Sequence, residues 1–232
     1  MNWASQCAAV IPCLNEETAI GPLVAAVRPL LPTIFVVDDG SHDRTSALAQ
    51  AAGAEVLRHE TIRGKGAALR TGWERARARG FQWALNLDGD GQHSAEDIPA
   101  FLQCAERDAV PLVIGNRMAH AAAMPTLRRF VNGWMSRQLS HAAGRVLPDS
   151  QCGFRLMNLD AWSALPITAT HFEIESDVLL AFIAAGHAVE FVPIRVIYKS
   201  ERSKIHPVRD AVRWFRWWSR ARRPDQKKPG NF

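Results

Sequence analysis

No run of this sequence is apolar for long enough to cross a bilayer. The longest, Val178 to Ala185, falls far short of the roughly 18 residues a spanning helix needs. No signal peptide is visible either. Met1 to Gln6 carries no basic residue, and the apolar run after it stops at Asn15-Glu16-Glu17. The four cysteines, Cys7, Cys13, Cys104 and Cys152, include no C-x-x-C pair, so they read as reduced, in a cytosolic protein, with Cys7 and Cys13 as core thiols of one apolar run. No internal repeat is present. Charged residues make up only 22% of the chain, which excludes wholesale disorder.

What is present is 232 residues, 47% of them hydrophobic. That suffices for one domain with a substantial core and at most an appendage. The formal net charge of +5 conceals an asymmetry. Lys199 to Phe232 holds eleven Lys/Arg and three Asp/Glu, a net of +8, while the preceding 198 residues hold 17 and 20, a net of −3. A slightly acidic body with a strongly basic tail implies an anionic partner for the tail.

The first half alternates short apolar runs with amphipathic ones. Strands are expected at Ala8–Ile11, Ile34–Val37, Val56–Leu57, Phe81–Leu87 and Val110–Ile114. Helices are expected at Glu16–Leu30, from Asp43 to a stop at Gly53, and from Gly66 to Arg79 before Gly80. Ser94 is placed to cap a further helix, with Pro99 inside it. Unbroken apolar strands alternating with helices predict an α/β fold, a mainly parallel sheet with helices on both faces. Its ligands would lie beyond the carboxyl ends of the strands. The second half is less regular. Helices are expected at Pro125–Ala143, Phe172–Ala185 and Pro207–Ala221, and a strand at Val189–Tyr198 interrupted by Pro193.

Two acidic motifs sit at strand ends. Val37-Asp38-Asp39-Gly40-Ser41 offers two carboxylates to a ribose or a base, or else forms a capped turn. Asp88-Gly89-Asp90-Gly91-Gln92-His93 spaces two carboxylates for one hard cation, with glycines that let the backbone bend. It is not a calcium loop, because no Glu stands at the final position. Between them, Arg63-Gly64-Lys65-Gly66 opens a helix, and helix N-termini favour anions. It lacks the spacing of a P-loop.

The order of the motifs is more specific than any one of them. Pro12-x-x-Asn15-Glu16-Glu17, Asp38-Asp39-Gly40-Ser41, Gly64-Lys65-Gly66-Ala67, Asp88-x-Asp90-Gly91-Gln92-His93, Gly115-x-Arg117 and Gly153-Phe154-Arg155 follow one another in a single chain. The set resembles the family 2 glycosyltransferases, and within them the polyprenyl-phosphate sugar synthases, over about residues 7–206. The resemblance implies a GT-A fold and an inverting, metal-dependent transfer of a hexose from a UDP- or GDP-sugar. It implies donor contacts at Pro12, Asn15, Glu16, Asp38, Asp39, Lys65, Asp88 and Arg202, and Mg²⁺ or Mn²⁺ at Asp88, Asp90 and Gln92. Arg117, Arg128 and Arg129 match positions that would receive an acceptor phosphate. Arg202, in Glu201-Arg202-Ser203-Lys204, matches a loop that closes over the donor diphosphate, or is simply exposed. Asp90 and Arg202 would thus serve catalysis, together with Glu173 or Glu175, which lie where the family places acids near the acceptor. Those two are also ordinary acids at a helix start. Of the eight histidines only His93 stands out, beside the metal segment. The chain departs from the subgroup in showing no transmembrane helices after the catalytic region.

The acceptor is therefore expected to be a polyprenyl phosphate, with a saccharide or glycolipid hydroxyl as the alternative. A nucleotidyltransferase would need an early glycine-rich signature, where this chain has Pro12-Cys13-Leu14-Asn15. A non-catalytic membrane-binding protein would not need both Asp88 and Asp90. The expected organisation is a catalytic domain over 1–206 and a basic amphipathic helix and tail over 207–232. In that helix Val208, Ala211, Val212, Phe215 and Trp218 recur at helical spacing, while Arg209, Arg213, Arg216 and Arg220 fall largely elsewhere, with Trp214 and Trp217 adding aromatic bulk. Such a helix either lies on an anionic membrane surface or packs on protein. A cytoplasmic enzyme, peripheral at the inner face of the membrane, follows from the first reading. No nucleic-acid module surrounds the basic segment.

Overall fold

A computed structural model describes residues 1–197 and 207–221. They fall into two compact units, Met1–Lys199 and Ser200–Phe232.

The first unit runs α1 (Trp3–Gln6), β1 (Cys7–Cys13), α2 (Ile20–Val27), β2 (Ile34–Asp38), α3 (Thr45–Ala51), β3 (Glu55–Arg58), α4 (Lys65–Ala78) and β4 (Trp83–Asn86). It continues through α5 (Ile98–Asp108), β5 (Leu112–Asn116), α6 (Thr126–Ala143), β6 (Arg155–Asn158), α7 (Leu159–Ser163), α8 (Ile174–Ala184) and β7 (Val189–Pro193). Seven strands form one sheet in the order β3-β2-β1-β4-β6-β5-β7. β1 pairs in parallel with both β2 and β4, and β5 with β7. β6 runs antiparallel between β4 and β5. This is the GT-A arrangement that the motif order implied.

All seven residues of β1 and all five of β2 are buried, as expected for strands covered on both faces. Phe35, Trp73, Phe101, Phe154 and Phe182 are among the largest fully buried side chains. Chain order along the sheet reverses at β1, where β2 lies on one side and β4 on the other. That reversal opens a crevice at the carboxyl ends of the two central strands.

The sequence pattern missed β6, which is four residues long and begins with a buried arginine. A charged first residue and so short a span leave no alternation to read. The long strand expected over Val189–Tyr198 stops at Pro193; Tyr198 lies outside the described residues, and among those described Val196 alone bridges onward, to His93. Proline has no amide to donate to a ladder. Expected helix Glu16–Leu30 is regular only over Ile20–Val27. All four cysteines are buried free thiols.

In the second unit α9 (Pro207–Ala221) is helical as expected. Within it Trp214 stacks on Trp218 at 5.4 Å between ring centroids. Val212 and Phe215 are exposed. No helix among the described residues is long and apolar enough to cross a membrane.

Candidate active site

Parallel strands bring β1, β2, β4 and β5 to one edge with their carboxyl ends together. Asp38 and Asp39 leave β2, Asp88 and Asp90 follow β4, and Arg117 follows β5. The expected strand-end residues Asp38, Asp39, Asp88, Asp90 and Arg117 thus share one rim of the sheet.

The β1 and β2 ends are stitched to each other. Asn15 takes a left-handed conformation (φ 52°), which asparagine tolerates better than most side chains. Its amide donates to Ser41 Oγ at 2.8 Å, and its Oδ1 accepts from the His42 amide at 2.9 Å. The Glu16 amide donates to Thr45 Oγ1 at 2.7 Å. Pro12 is buried in β1, opposite Val37 of β2.

Both carboxylates of the first acidic pair serve this loop work. Asp38 is fully buried; its Oδ1 accepts from the Ser41 amide at 2.8 Å, its Oδ2 from the Ser46 hydroxyl, and Arg58 lies 3.5 Å away. Asp39 accepts from the Arg63 amide at 2.9 Å and the Gly64 amide at 2.7 Å, and contacts His59 Nδ1 at 2.7 Å. His59 also reaches Thr71 Oγ1 at 3.0 Å. Asp39 therefore ties the end of β2 to the segment that starts α4. Gly64 is required in that segment. Its φ is +101°, and a Cβ there would lie 2.6 Å from the Thr170 carbonyl oxygen.

At the first position of α4, Lys65 is gripped between two carboxylates. Its Nζ lies 2.6 Å from Asp88 Oδ1 and 2.6 Å from Glu175 Oε1, and 5.7 Å from the centre of the Phe172 ring. Burial opposes the Lys65 charge, but Asp88 and Glu175 outweigh it and hold the ammonium above its ordinary pKa. Burial likewise opposes the Asp88 charge; Lys65 foremost, then His93 and Arg117, bring its pKa down to about 2. Asp90 shifts the other way, raised by burial and by the neighbouring Asp88 charge. Two carboxylates close enough to repel one another are a donor set suited to a hard cation. Among the described residues no three His, Cys, Asp or Glu side chains form a ready-made cage. A two-carboxylate site completed by phosphate oxygens and water is the pattern magnesium favours, and the Asp88–Asp90 segment fits it.

Gly153 makes room for this cluster. A Cβ at that position would meet Asp88 Oδ1 at 2.7 Å and Lys65 Nζ at 2.9 Å. The next residues continue the support. Phe154 stacks between His93 and Phe101 at 5.1 and 4.2 Å. Buried Arg155 donates to the carbonyls of Cys152, Ser150 and Glu175 at 2.7, 2.9 and 2.6 Å, holding the start of α8 against the loop. His93 lies in the interior, its Nδ1 3.4 Å from the Asp88 amide. Its burial lowers its pKa and favours the neutral ring.

The residues expected for the acceptor behave differently from one another. Arg117 donates twice from its guanidinium to Asp149, Nε to Oδ2 and Nη2 to Oδ1, both at 2.8 Å, and its amide adds a third bond at 3.0 Å. Asp149 is fully buried. Arg128 Nη1 lies 3.4 Å from Gln92 Oε1, which links α6 to the Asp-x-Asp-x-Gln segment. Arg129 is exposed. Glu173 precedes α8 and is half-buried, whereas Glu175 is buried on Lys65. Arg202 lies outside the described residues.

Sequence reasoning missed Asp149 and His59. Asp149 stands 32 residues from Arg117, and no periodicity links an acid in one loop to a base in another. His59 was one scattered histidine among eight until the fold placed it on Asp39.

A mainly parallel sheet with acidic strand ends, a basic helix start and a glycine-cushioned carboxylate is the arrangement that the motif order implied. The model of glycosyl transferase family 2 matches residues 8–164, and the chain belongs to that family. It is similar to a UDP-N-acetylglucosamine–dolichyl-phosphate N-acetylglucosaminyltransferase of Methanococcus voltae, 28% identical, over 82% of this chain and 84% of that protein. It is also similar to an undecaprenyl-phosphate mannosyltransferase of Micrococcus luteus, 27% identical, over 81% and 82% of the two chains. Among solved structures, the glucosyl-3-phosphoglycerate synthase of Mycobacterium tuberculosis, in complex with Mn²⁺, UDP and phosphoglyceric acid, superposes with a TM-score of 0.69. It is 20% identical, with 95% of this chain and 80% of that one covered. That likeness concerns the fold.

Proposed function

We propose that this protein transfers a hexose, with inversion, from a UDP- or GDP-sugar to a polyprenyl phosphate at the inner face of a membrane. The observation that carries the reading is the Asp88–Asp90 pair at the end of β4, with Asp88 held by Lys65 at the start of α4. The names of the two lipid-phosphate relatives support the acceptor class.

In this reading the donor nucleoside lies against Pro12, Asn15, Glu16 and Asp39, with Asp38 shaping that wall from behind. Asp88, Asp90 and Gln92 hold Mg²⁺ or Mn²⁺, which when bound supplies positive charge to the departing nucleoside diphosphate. Lys65 adds a fixed cation beside Asp88, and Arg202 would add a second by its match to the family loop. Preorganised charge of this kind needs no reorganisation during reaction. Glu175 keeps Lys65 in place. Arg128 and Arg129 receive the acceptor phosphate, and Arg117 orders that side through Asp149. A phosphate monoester is already ionised at neutral pH, so its oxygen attacks without a strong base. A hydroxyl acceptor would need one, and Glu173 is the carboxylate available.

The test is a panel of UDP- and GDP-sugars incubated with the protein and divalent cation, with and without polyprenyl phosphate, and read by mass spectrometry. The expected product is a glycosyl polyprenyl phosphate formed from one donor. Transfer only to saccharide hydroxyls, or full activity in excess chelator, would overturn the acceptor or the metal assignment respectively.

A further inference from the structure

His59 has no part in the transfer outlined above, yet it is buried and pinned at both ring nitrogens. Its amide donates to the Asp38 carbonyl at 2.9 Å, which fixes it beside the end of β2. Nδ1 lies 2.7 Å from Asp39 Oδ1, and Nε2 lies 3.0 Å from Thr71 Oγ1. A carboxylate only accepts, so Nδ1 carries the hydrogen that points at Asp39. Thr71, in α4, thereby fixes the ring, and the ring fixes the carboxylate. The two oxygens of Asp39 are filled unequally. A carboxylate offers about four acceptor positions, two on each oxygen. On Oδ1 the Arg63 amide and His59 take both, while on Oδ2 the Gly64 amide takes one. Among the described residues one position, on Oδ2, meets no donor. Asp39 also retains 4% exposure where Asp38 has none, so of the two it is Asp39 that a ligand can reach.

We propose that His59 leaves Asp39 able to accept from a single N–H of the donor base, and so selects a uridine diphosphate sugar over a guanosine diphosphate sugar. Uracil presents one N–H on its pairing edge, at N3. Guanine presents N1–H and its 2-amino group side by side, and a carboxylate that takes both uses both of its oxygens. Here Oδ1 is already filled by His59 and the Arg63 amide. A guanine on Asp39 would satisfy one donor and leave the other dry and unpaired, and an unmade bond of that kind is what a site converts into discrimination. The carboxylate cannot turn to offer a second oxygen, because two backbone amides and a pinned ring hold it. The inference rests on the nucleotide-sugar reading, in which Asp39 faces the nucleoside, and narrows it to one base. His59 acts through Asp39 and is a positioning residue.

The test is calorimetric titration of the full chain with UDP, GDP and inorganic pyrophosphate at constant Mg²⁺, for wild type, His59→Leu, His59→Asn and Thr71→Val. Pyrophosphate has no base and reports the phosphate side alone. The wild type should bind UDP about tenfold or more tighter than GDP. In His59→Leu the second position on Oδ1 is released, and the two affinities should come within about threefold of each other. Pyrophosphate binding should not change, whereas a merely structural loss would weaken all three ligands together. His59→Asn keeps an N–H near the place of Nδ1 and should keep most of the preference. Thr71→Val loosens only the far side of the ring and should reduce the preference in part, which keeps the question open to measurement if His59→Leu does not fold. Wild-type binding of GDP as tight as that of UDP would overturn the proposal. So would a preference left intact in both His59→Leu and Thr71→Val. Sugar transfer from a GDP-sugar and not from a UDP-sugar would end the base selection and leave the nucleotide-sugar reading standing. If neither nucleotide binds better than pyrophosphate, both fail.

Discussion

Two acidic pairs sit at the ends of two parallel strands, and they do opposite things. Asp38 and Asp39 spend their oxygens on the protein: on Ser41, Ser46, Arg63, Gly64 and His59. Asp88 is held by a lysine ammonium, and among the described residues Asp90 accepts only from the Gln92 amide two residues on, at 3.0 Å. The first pair builds the wall of a site and the second is left with capacity for a ligand. A carboxylate at a strand end is thus not in itself a ligand. What distinguishes the pairs is how many fixed protein donors each carboxylate meets: Asp38 and Asp39 each have several, whereas Asp88 leans on a lysine that substrate can share and Asp90 on a single local amide.

This contrast is broken most sharply at Asp90. Asp90→Ala should lower transfer on the order of 10³-fold, about 4 kcal/mol at the barrier. Stability should change by less than about 1 kcal/mol, since one short local hydrogen bond is lost. Steady-state kinetics and urea unfolding on the same preparation decide it. Wild-type turnover in this variant would remove Asp90 from the site.

The next largest effect is expected at Arg117, and it is structural. Removing the guanidinium leaves the fully buried Asp149 with backbone amides from Arg117 and Gln151 but without the cation it pairs with, a loss of about 3 kcal/mol. Arg117→Ala alone would therefore mix a folding defect with any change in acceptor KM. The double variant Arg117→Ala/Asp149→Ala should recover much of the stability and isolate the kinetic effect. A single variant as stable as wild type would mean that the pair is not formed in solution.

Asp38→Ala should come third, costing about 2 kcal/mol because the buried Ser41 amide and the half-buried Ser46 hydroxyl lose their acceptor. Its turnover, measured where the variant is still folded, should stay within about threefold of wild type. A large fall in turnover without a fall in stability would give Asp38 the role of Asp90 and erase the contrast between the pairs.

How much of this was legible beforehand follows the same division. Local chemistry was readable. Strands β1 and β2, the glycine stops, the start of α4 and both acidic motifs lie in short windows where period and composition speak directly. Long-range pairing was not. Asp149 on Arg117, His59 on Asp39 and Glu175 on Lys65 join residues 32, 20 and 110 positions apart, and only the fold decides which acid meets which base. The facing of α6, in which Asn132 and Ser136 are buried while Leu127 and Phe130 are exposed, was hidden for another reason. Its apolar spacing is that of any packed helix, and only burial reveals which side faces out. Strand β6 was hidden by its opening arginine, whose charge is satisfied by three carbonyls that no window of sequence contains.

The smallest and most discriminating test is Gly153→Ala. Gly153 is not among the residues with positive φ, so its backbone admits an alanine without strain, and the unfolded state loses entropy, favouring the folded protein by about 0.5 kcal/mol. Against that, the new methyl group falls 2.7 Å from Asp88 Oδ1 and 2.9 Å from Lys65 Nζ. Both are ends of side chains that can shift by a few tenths of an ångström, so the cost to folding is small. The cost to function is not, because displacing a reacting or charge-bearing group by a fraction of an ångström is felt at the barrier. Stability should stay within about 1 kcal/mol of wild type, while kcat/KM for the nucleotide sugar falls about tenfold, or 1.4 kcal/mol. Lys65→Met in the same background should add less than it does alone, since the two changes act on one cluster. Full activity in Gly153→Ala would show that the Lys65–Asp88 contact does not persist when donor is bound, and that the second acidic pair works without the clamp seen here.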